Sequence, residues 1–254
     1  MCLCRLAFVL WSLGYPEQAL SRVHEAFEIA QKLSHPFSLA YVLTWVAILY
    51  HHCQTVQEAQ PWVQMATTFS TEQGFPFWST QGMVLRGWVL SEQGRVEEGI
   101  AQMQQGLTEI QAVGTKVLQA YYLGLLASTH GKVGQPEVGL ALLEEALAKV
   151  NTNDERWPEA ELHRLRGELL LQESFPKKAQ EAEASFLQAL NVAQRQHAKS
   201  PELRAAMSLS RLWQQQGKQT QARELLSGVY DWFTEGFDTA DLQDAKKLLM
   251  ALEV

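Results

Sequence analysis

The feature that most restricts what this chain can fold into is a spacing. Small residues stand at Ala19, Ala59, Gly99, Gly139, Ala182 and Ala222, separated by 40 residues four times and by 43 once. A second small position follows seven residues on, at Ala26, Ala66, Gly106, Ala146 and Ala189, with Val229 in the last copy. Five residues before the first position comes a helix breaker, Gly14, Gly94, Gly134 or Gly217; Gln54 replaces it in the second copy and a short insertion shifts the fifth. Self-similarity at such a period means one supersecondary unit repeated, each copy needing its neighbours to bury its apolar face.

The stretch Leu203 to Leu226 shows what the unit is. Leu203, Ala206, Met207, Leu209, Ser210, Leu212 and Trp213 return at three- and four-residue steps, so an apolar and small face runs along one helix. Gly217 breaks it, and Ala222, Leu225, Leu226 and Val229 resume the same spacing in a second helix. Ala222 carries so little side chain that the two axes can approach to roughly 8 to 10 Å. Alternating Val/Ile/Thr runs bounded by turn signals are absent, which leaves strands without support. Pro16, Pro36, Pro136, Pro158, Pro176 and Pro201 fall at predicted helix starts, where a missing N–H costs nothing. Ser200 is expected to cap the helix beginning at Pro201, and Pro61 to delay or kink the helix that holds it.

The expected fold is therefore all-α: a right-handed α-solenoid of about six helix hairpins, a single domain over 1–254. The units are expected over 1–32, 36–68, 77–112, 116–150, 158–196 and 201–233, closed by a capping helix over 239–252. Asp238 or Thr239 begins that last helix, with Leu242, Ala245, Leu248 and Leu249 facing inward and Asp241, Asp244, Lys246 and Lys247 outward. The opening MCLCRLAFVLW is apolar and lacks a cap, so preceding protein or a partner is expected to cover it. Flexibility is expected at 151–157 and around the insertion at 172–178.

Composition narrows the function. A net charge of −7 with a pI near 5.5 argues against a nucleic-acid partner, which demands a concentrated Lys/Arg surface. Three cysteines are too few and too oddly numbered for a disulfide framework, and the expected compartment is the cytoplasm. Arg5 interrupts the apolar start, no cleavage-type site follows, and the longest apolar run, Phe37 to Leu49, is too short to span a bilayer. No membrane partner is expected.

Motifs that could carry chemistry fail on inspection. His24-Glu25 has Glu28 where a metal would need a second histidine one turn on. Gly131-Lys132 has Val133 where a phosphate loop needs Ser or Thr, and Leu126 where it needs its first glycine. His51, His52 and Cys53 are consecutive, so on a helix they point about 100° apart and read as a polar helix end. Cys2 and Cys4 read as terminal core residues. No nucleophile has a base and an orienting acid at readable spacing. Neither a metal nor a cofactor nor enzyme activity is expected.

Two small positions and a turn, repeated six times, resemble the tetratricopeptide repeat, although the period is about 40 rather than 34 and the proline tends to open the next helix. The resemblance implies a concave groove lined by first-helix positions that do not pack on the second helix. By register these are Tyr41, Thr44, His51, Gln81, Trp88, Glu92, Tyr121, Arg164, Glu168, Arg204 and Arg211. Aromatic bodies and guanidinium forks make such a face fit for a protein or peptide. Arg204 and Arg211 are the two that packing leaves unexplained, and their charge reversal is expected to weaken a partner without loss of helix. A small-molecule sensor is the alternative, with a pocket near Trp45, Trp88 and Tyr121.

The runs AELHRLRGELLLQ (160–172), AEASFLQALNVAQRQHAKSPELRAAMSLSRLWQQQGK (182–218) and YDWFTEGFDTADLQDAKKLL (230–249) resemble a narrower group. They are similar to the C-terminal repeat region of bacterial multidomain signalling proteins, in which a class III adenylate or guanylate cyclase and a signal-transduction ATPase precede the repeats. The resemblance implies a docking or sensing arm, with any cyclase or ATPase activity in upstream domains of full-length relatives.

Overall fold

Roughly every twenty residues the backbone turns into the left-handed region. It does so at Gly14, Ser34, Gln54, Gly74, Gly94, Gly114, Gly134, Asp154, His197, Gly217 and Gly236. These residues mark the ends of successive helices, and each reversal folds the next helix back on the last. The structure is a computed structural model that describes residues 1–173 and 176–253. Its helices are α1 (Cys2–Ser12), α2 (Pro16–Leu33), α3 (Pro36–His52), α4 (Val56–Glu72), α5 (Pro76–Glu92), α6 (Val96–Val113) and α7 (Gln119–Lys132). They continue as α8 (Pro136–Asn153), α9 (Glu159–Glu173), α10 (Ala179–Arg195), α11 (Lys199–Gln215), α12 (Gln219–Tyr230) and α13 (Ala240–Ala251). Among the described residues there is no strand, and no helix is long and apolar enough to cross a membrane. Part of the expected insertion at 172–178, residues 174 and 175, lies outside the described residues.

The fold is an all-α solenoid of helix hairpins, and its two layers follow from sequence pattern. Even-numbered helices bury one stripe each; in α8 it is Pro136, Gly139, Leu143, Ala146 and Val150. Of the interior odd-numbered helices α3 is apolar almost all round, with every residue from Ala40 to Leu49 buried, and in α11 every residue from Ser200 to Ser210 is buried. A helix with no polar face must have cover on every side, so the odd helices form the inner layer. The small positions are where the layers touch. Ala19, Ala59, Ala182 and Ala222 are fully buried. At the α5–α6 crossing a Cβ added to Gly99 would stand 2.5 Å from the Gly87 carbonyl oxygen, so only glycine permits that approach.

Local details depart from expectation at several places: Cys2, expected in the terminal core, is exposed, and Pro176 lies three residues before α10. Ser200 is the second residue of α11, not its cap; its hydroxyl donates to the Trp11 carbonyl, 2.6 Å away across the molecule. Pro61 does not delay α4, which begins five residues earlier and carries the proline inside. Thr239 sits at the N-cap of α13, but its hydroxyl donates to Gly236 O at 2.6 Å instead of capping the helix. Asp241 points inward rather than outward, because Arg204 and Gln54 both donate to its carboxylate, at 2.8 and 2.9 Å.

Those inward bonds belong to a closure. The first hairpin packs on the last one and on the segment leading to α13, so the solenoid returns on itself. Gln18 donates to Glu235 through its backbone and its side chain, at 3.1 and 2.8 Å, and Gly236 N donates to Glu17 at 2.7 Å. Trp232, Phe233 and Lys199 crowd against Gly14. The start of the chain is thus covered in part by its own end, around Trp11 and Gly14, while Met1, Leu6 and Val9 stay exposed. At the centre of the closure Arg204 is bonded to Asp241 and to the His52 carbonyl and lies over the Trp11 ring, 5.4 Å from its centroid.

Packing and closure give three predictions. Gly99→Ala should lose about 1–3 kcal/mol in urea unfolding through overpacking. Gly228→Ala, on an exposed helical site with open space around it, should be neutral or gain up to about 1 kcal/mol. Asp241→Ala leaves a buried guanidinium without its counter-ion and should cost about 3–5 kcal/mol, whereas the double change Arg204→Met, Asp241→Leu should recover most of it. Equal losses in the single and double variants would mean that the charges themselves are not what holds the closure.

Candidate functional site

Closing the solenoid encloses part of its inner face. The C-terminal end of α3, the inner sides of α5 and α7, the loop before α9, and the starts of α9 and α11 surround a cavity of about 300 Å³. Of the positions expected to line the groove, His51, Trp88, Glu92, Tyr121, Arg164 and Arg204 come together on its wall. The others do not. Tyr41 packs against Trp45 and Trp78, with ring centroids 6.0 and 5.4 Å away. Thr44 and Gln81 are fully buried and offer no surface to a partner. Thr44 donates to Ala40 O at 3.0 Å, while Gln81 accepts from the Tyr122 hydroxyl at 3.1 Å. Glu168 pairs with Arg164 and accepts from Ser208 at 3.0 Å. Arg211 is exposed.

The structure also corrects the role expected of Arg204. It is 5 % exposed and already committed through Nε and Nη2 to Asp241 and His52 O. Reversing its charge would set a carboxylate against Asp241 and break the closure, so helix content and partner affinity could not be separated there. Arg164 is committed as well, forked onto Glu161 at 2.6 and 2.8 Å and bonded to Glu168 through its remaining nitrogen.

Several wall residues escape the sequence. Ser128 and Lys132 line the cavity, and they stand one repeat after Trp88 and Glu92. The Lys132 ammonium pairs with Glu92 at this 40-residue separation, so the period itself was the usable signal. Trp157 comes from the loop before α9 and had none. Its indole N–H donates to Glu155 Oε1 at 3.1 Å while Glu155 Oε2 accepts from Leu118 N at 2.8 Å. Gln196 also donates to Arg156 O at 2.8 Å, so the segment expected to flex is tied at several points.

Aromatic rings from several elements share the wall with charged and aliphatic side chains. Trp157 stands 5.2 Å from Tyr121, 5.7 Å from His52 and 4.8 Å from Phe8 on α1, centroid to centroid, so rings from opposite sides of the closed solenoid meet. His51 lies 4.7 Å from Trp88, and its Nδ1 is 2.8 Å from the Tyr121 hydroxyl. His52 lies 4.4 Å from Trp11, the two rings tilted by 34°, and both its ring nitrogens are buried without a hydrogen-bond partner. Burial, with the nearby Arg204 charge, brings the His51 imidazole down to about 3. Burial, His51 and Arg204 hold His52 well below its ordinary value. Both rings are therefore neutral at physiological pH. Burial pushes the Glu161 carboxyl up, but Arg164 outweighs it and holds the group at about 2.

No family model matches the chain. Over 208 residues, 82 % of this chain, it is 23 % identical to an uncharacterized protein of Rhizobium meliloti, and the chain spans about a fifth of that relative, the match covering 20 % of it. A Rap protein complexed with competence and sporulation factor superposes with a TM-score of 0.67 at 13 % identity, over 97 % of this chain and 72 % of that one. A signal transduction ATPase with numerous domains from Pyrococcus horikoshii, carrying a tetratricopeptide repeat sensor, superposes with a TM-score of 0.55 at 13 % identity, over 99 % of this chain and 41 % of that one. The fold is a tetratricopeptide-like solenoid.

The neutral histidines give a pH dependence whose sign is fixed. In the unfolded chain each takes up a proton below about 6.5, whereas the folded chain keeps His51 neutral down to about 3. The unfolded state thus binds more protons as the pH falls through that window, and stability falls with it by at most about 1.4 kcal/mol per pH unit per histidine. Urea unfolding of His52→Phe between pH 7.5 and 5 should show a shallower slope than the wild type. An unchanged slope would mean that His52 is protonated in the folded state.

Proposed function

We propose that the chain is a noncatalytic recognition module, taking a partner or effector on its inner wall and acting as the sensing or docking arm of a signalling protein. The observation that carries this reading is the enclosed aromatic cavity, where Trp88, Tyr121 and Trp157 gather on one face while the outer helices present charged, solvated surfaces. Large rigid rings in a partly desolvated recess supply binding energy with little loss of side-chain freedom. The tetratricopeptide repeat sensor named in the Pyrococcus horikoshii ATPase, and the factor bound to the Rap protein, support a sensing role for this architecture. That the Rhizobium meliloti relative is about four times as long agrees with an arm joined to further domains. In such a protein the cyclase or ATPase chemistry belongs to those other domains.

A protein or peptide is the primary partner on this reading, docked along the inner wall. One observation favours a small molecule as well: closure makes the innermost recess a cavity rather than an open trough.

Selection of a displayed random-peptide library on the purified chain tests the reading. Selected peptides should lose about thirtyfold in affinity on Trp88→Ala, the equivalent of roughly 2 kcal/mol, and almost nothing on Glu144→Lys, which lies on the exposed outer wall. Binders weakened by Glu144→Lys and indifferent to Trp88→Ala would move the recognition surface to the outer layer.

A further inference from the structure

We propose that the inner cavity binds a free, uncharged, planar heteroaromatic molecule of the size of a fused two-ring base, hydrogen-bonded to the imidazole of His52. The inference rests on the inner wall being the recognition surface and adds the chemical class of what it takes.

Size comes first. At about 300 Å³ the cavity stands at the lower end of ligand pockets, which run from about 300 to 1,000 Å³. That suits a compact molecule. Shape comes next. Trp88, Tyr121, Trp157 and His51 present rings on several sides, with neighbouring centroids 4.7 to 5.5 Å apart, and such walls favour a flat ring stacked or set edge-on.

Charge then excludes most alternatives. Every cation on the wall has its counter-ion within the chain: Arg164 with Glu161 and Glu168, Lys132 with Glu92, Arg204 with Asp241. An acid would have to enter the recess without a free cationic partner or break one of these pairs, and either is costly; an amine would have to draw a carboxylate away from Arg164, which holds two.

The remaining observation points to the polar edge of the ligand. His52 is 4 % exposed, forms part of the cavity wall, and has no hydrogen-bond partner at Nδ1 or Nε2. A buried imidazole with both nitrogens unsatisfied is unusual. In its neutral form it offers one donor and one acceptor, so a heteroaromatic edge bearing N–H or a ring nitrogen complements either. Neither nitrogen is open to solvent, so a ligand reaches His52 by displacing a neighbouring ring. Trp157 is the wall ring that comes from a loop rather than a helix, and its displacement, at the cost of its bond to Glu155, is part of the proposal.

The test uses the full chain at pH 7.5, with benzimidazole and adenine as uncharged probes and benzoate and benzamidine as charged counterparts. Isothermal titration and tryptophan fluorescence should show saturable binding of at least one uncharged probe, at least tenfold tighter than either charged one. His52→Phe keeps an aromatic ring and removes the nitrogens. It should weaken that probe at least tenfold while the urea midpoint at pH 7.5 stays equal or rises. N-acetyltryptophanamide and a tryptophan-containing decapeptide form the other arm. If they bind and the free rings do not, the aromatic group belongs to a peptide; the proposal then falls while the inner wall stands as the recognition surface. Equal binding by His52→Phe, or no uncharged probe bound at all, overturns the proposal. If selected peptides also ignore Trp88→Ala, the functional reading fails with it.

Discussion

A guanidinium buried between the two ends of the chain holds this array closed. Removing Arg204 from water is expensive, and the surroundings offset that cost through Asp241 on α13, the carbonyl of His52 at the end of α3, and the face of Trp11 on α1. These three partners come from the first hairpin, the second hairpin and the capping helix. Asp241 in turn accepts from Gln54, a residue held at φ +56° where glycine serves in the matching turns. The left-handed turn, the clasp and the orientation of α13 are therefore one network. It is well satisfied, which is the condition under which buried polar networks specify a structure instead of weakening it.

Closure decides what the repeats can do. An open solenoid presents a trough to solvent, and its inner side chains keep their hydration. Here Phe8 from α1 meets Trp157 from the loop before α9, and the wall between them includes His52 and Tyr121. Water excluded from this recess strengthens every electrostatic contact at its edge. That accounts for the neutral histidines and for carboxylates such as Glu161 that stay ionised only beside an arginine. The scaffold registers hold one kind of residue: Ala or Gly at 19, 59, 99, 139, 182 and 222. The inner register one unit apart does not, running Tyr41, Gln81, Tyr121, Glu161, Arg204. Positions that pack backbone against backbone admit one solution, whereas positions facing the interior are free to differ, and recognition chemistry collects there.

The same distinction explains what could be read from the residues. Small side chains at helix crossings follow from local geometry, so the spacing of Ala19 to Ala222 carried the architecture directly. Seven of the eleven reversals fall on glycine; Ser34, Gln54, Asp154 and His197 adopt the same backbone with side chains that announce nothing. The closure joins residues 152 to 219 positions apart and depends on the accumulated turn of six hairpins, a sum to which no single stretch testifies. Hence Arg204 and Arg211 looked alike as unexplained cations on one helix, yet one is sealed in the clasp and the other is exposed. Hence also Asp241 was assigned to the solvent face by the local period of α13. The register located part of the cavity wall but could not say which of its residues neighbouring repeats would cover, as they do Thr44 and Gln81.

His52 ties stability to recognition because it belongs to both. Its carbonyl accepts from Arg204 and so forms part of the clasp, while its ring forms part of the cavity wall. A group that engages the ring acts on the residue that anchors the closure, three bonds from the carbonyl concerned. If the occupied cavity prefers one setting of that residue, closure and occupancy favour each other, and by linkage the effect is the same in both directions. Its size is limited by the differential affinity of the ligand for the closed and loosened forms. The capping helix feels any such change at once, since Asp241 answers directly to Arg204. On the proposed reading, the hydrogen bonds of Arg204 to His52 O and Asp241 are the route by which occupancy of the interior reaches the last helix.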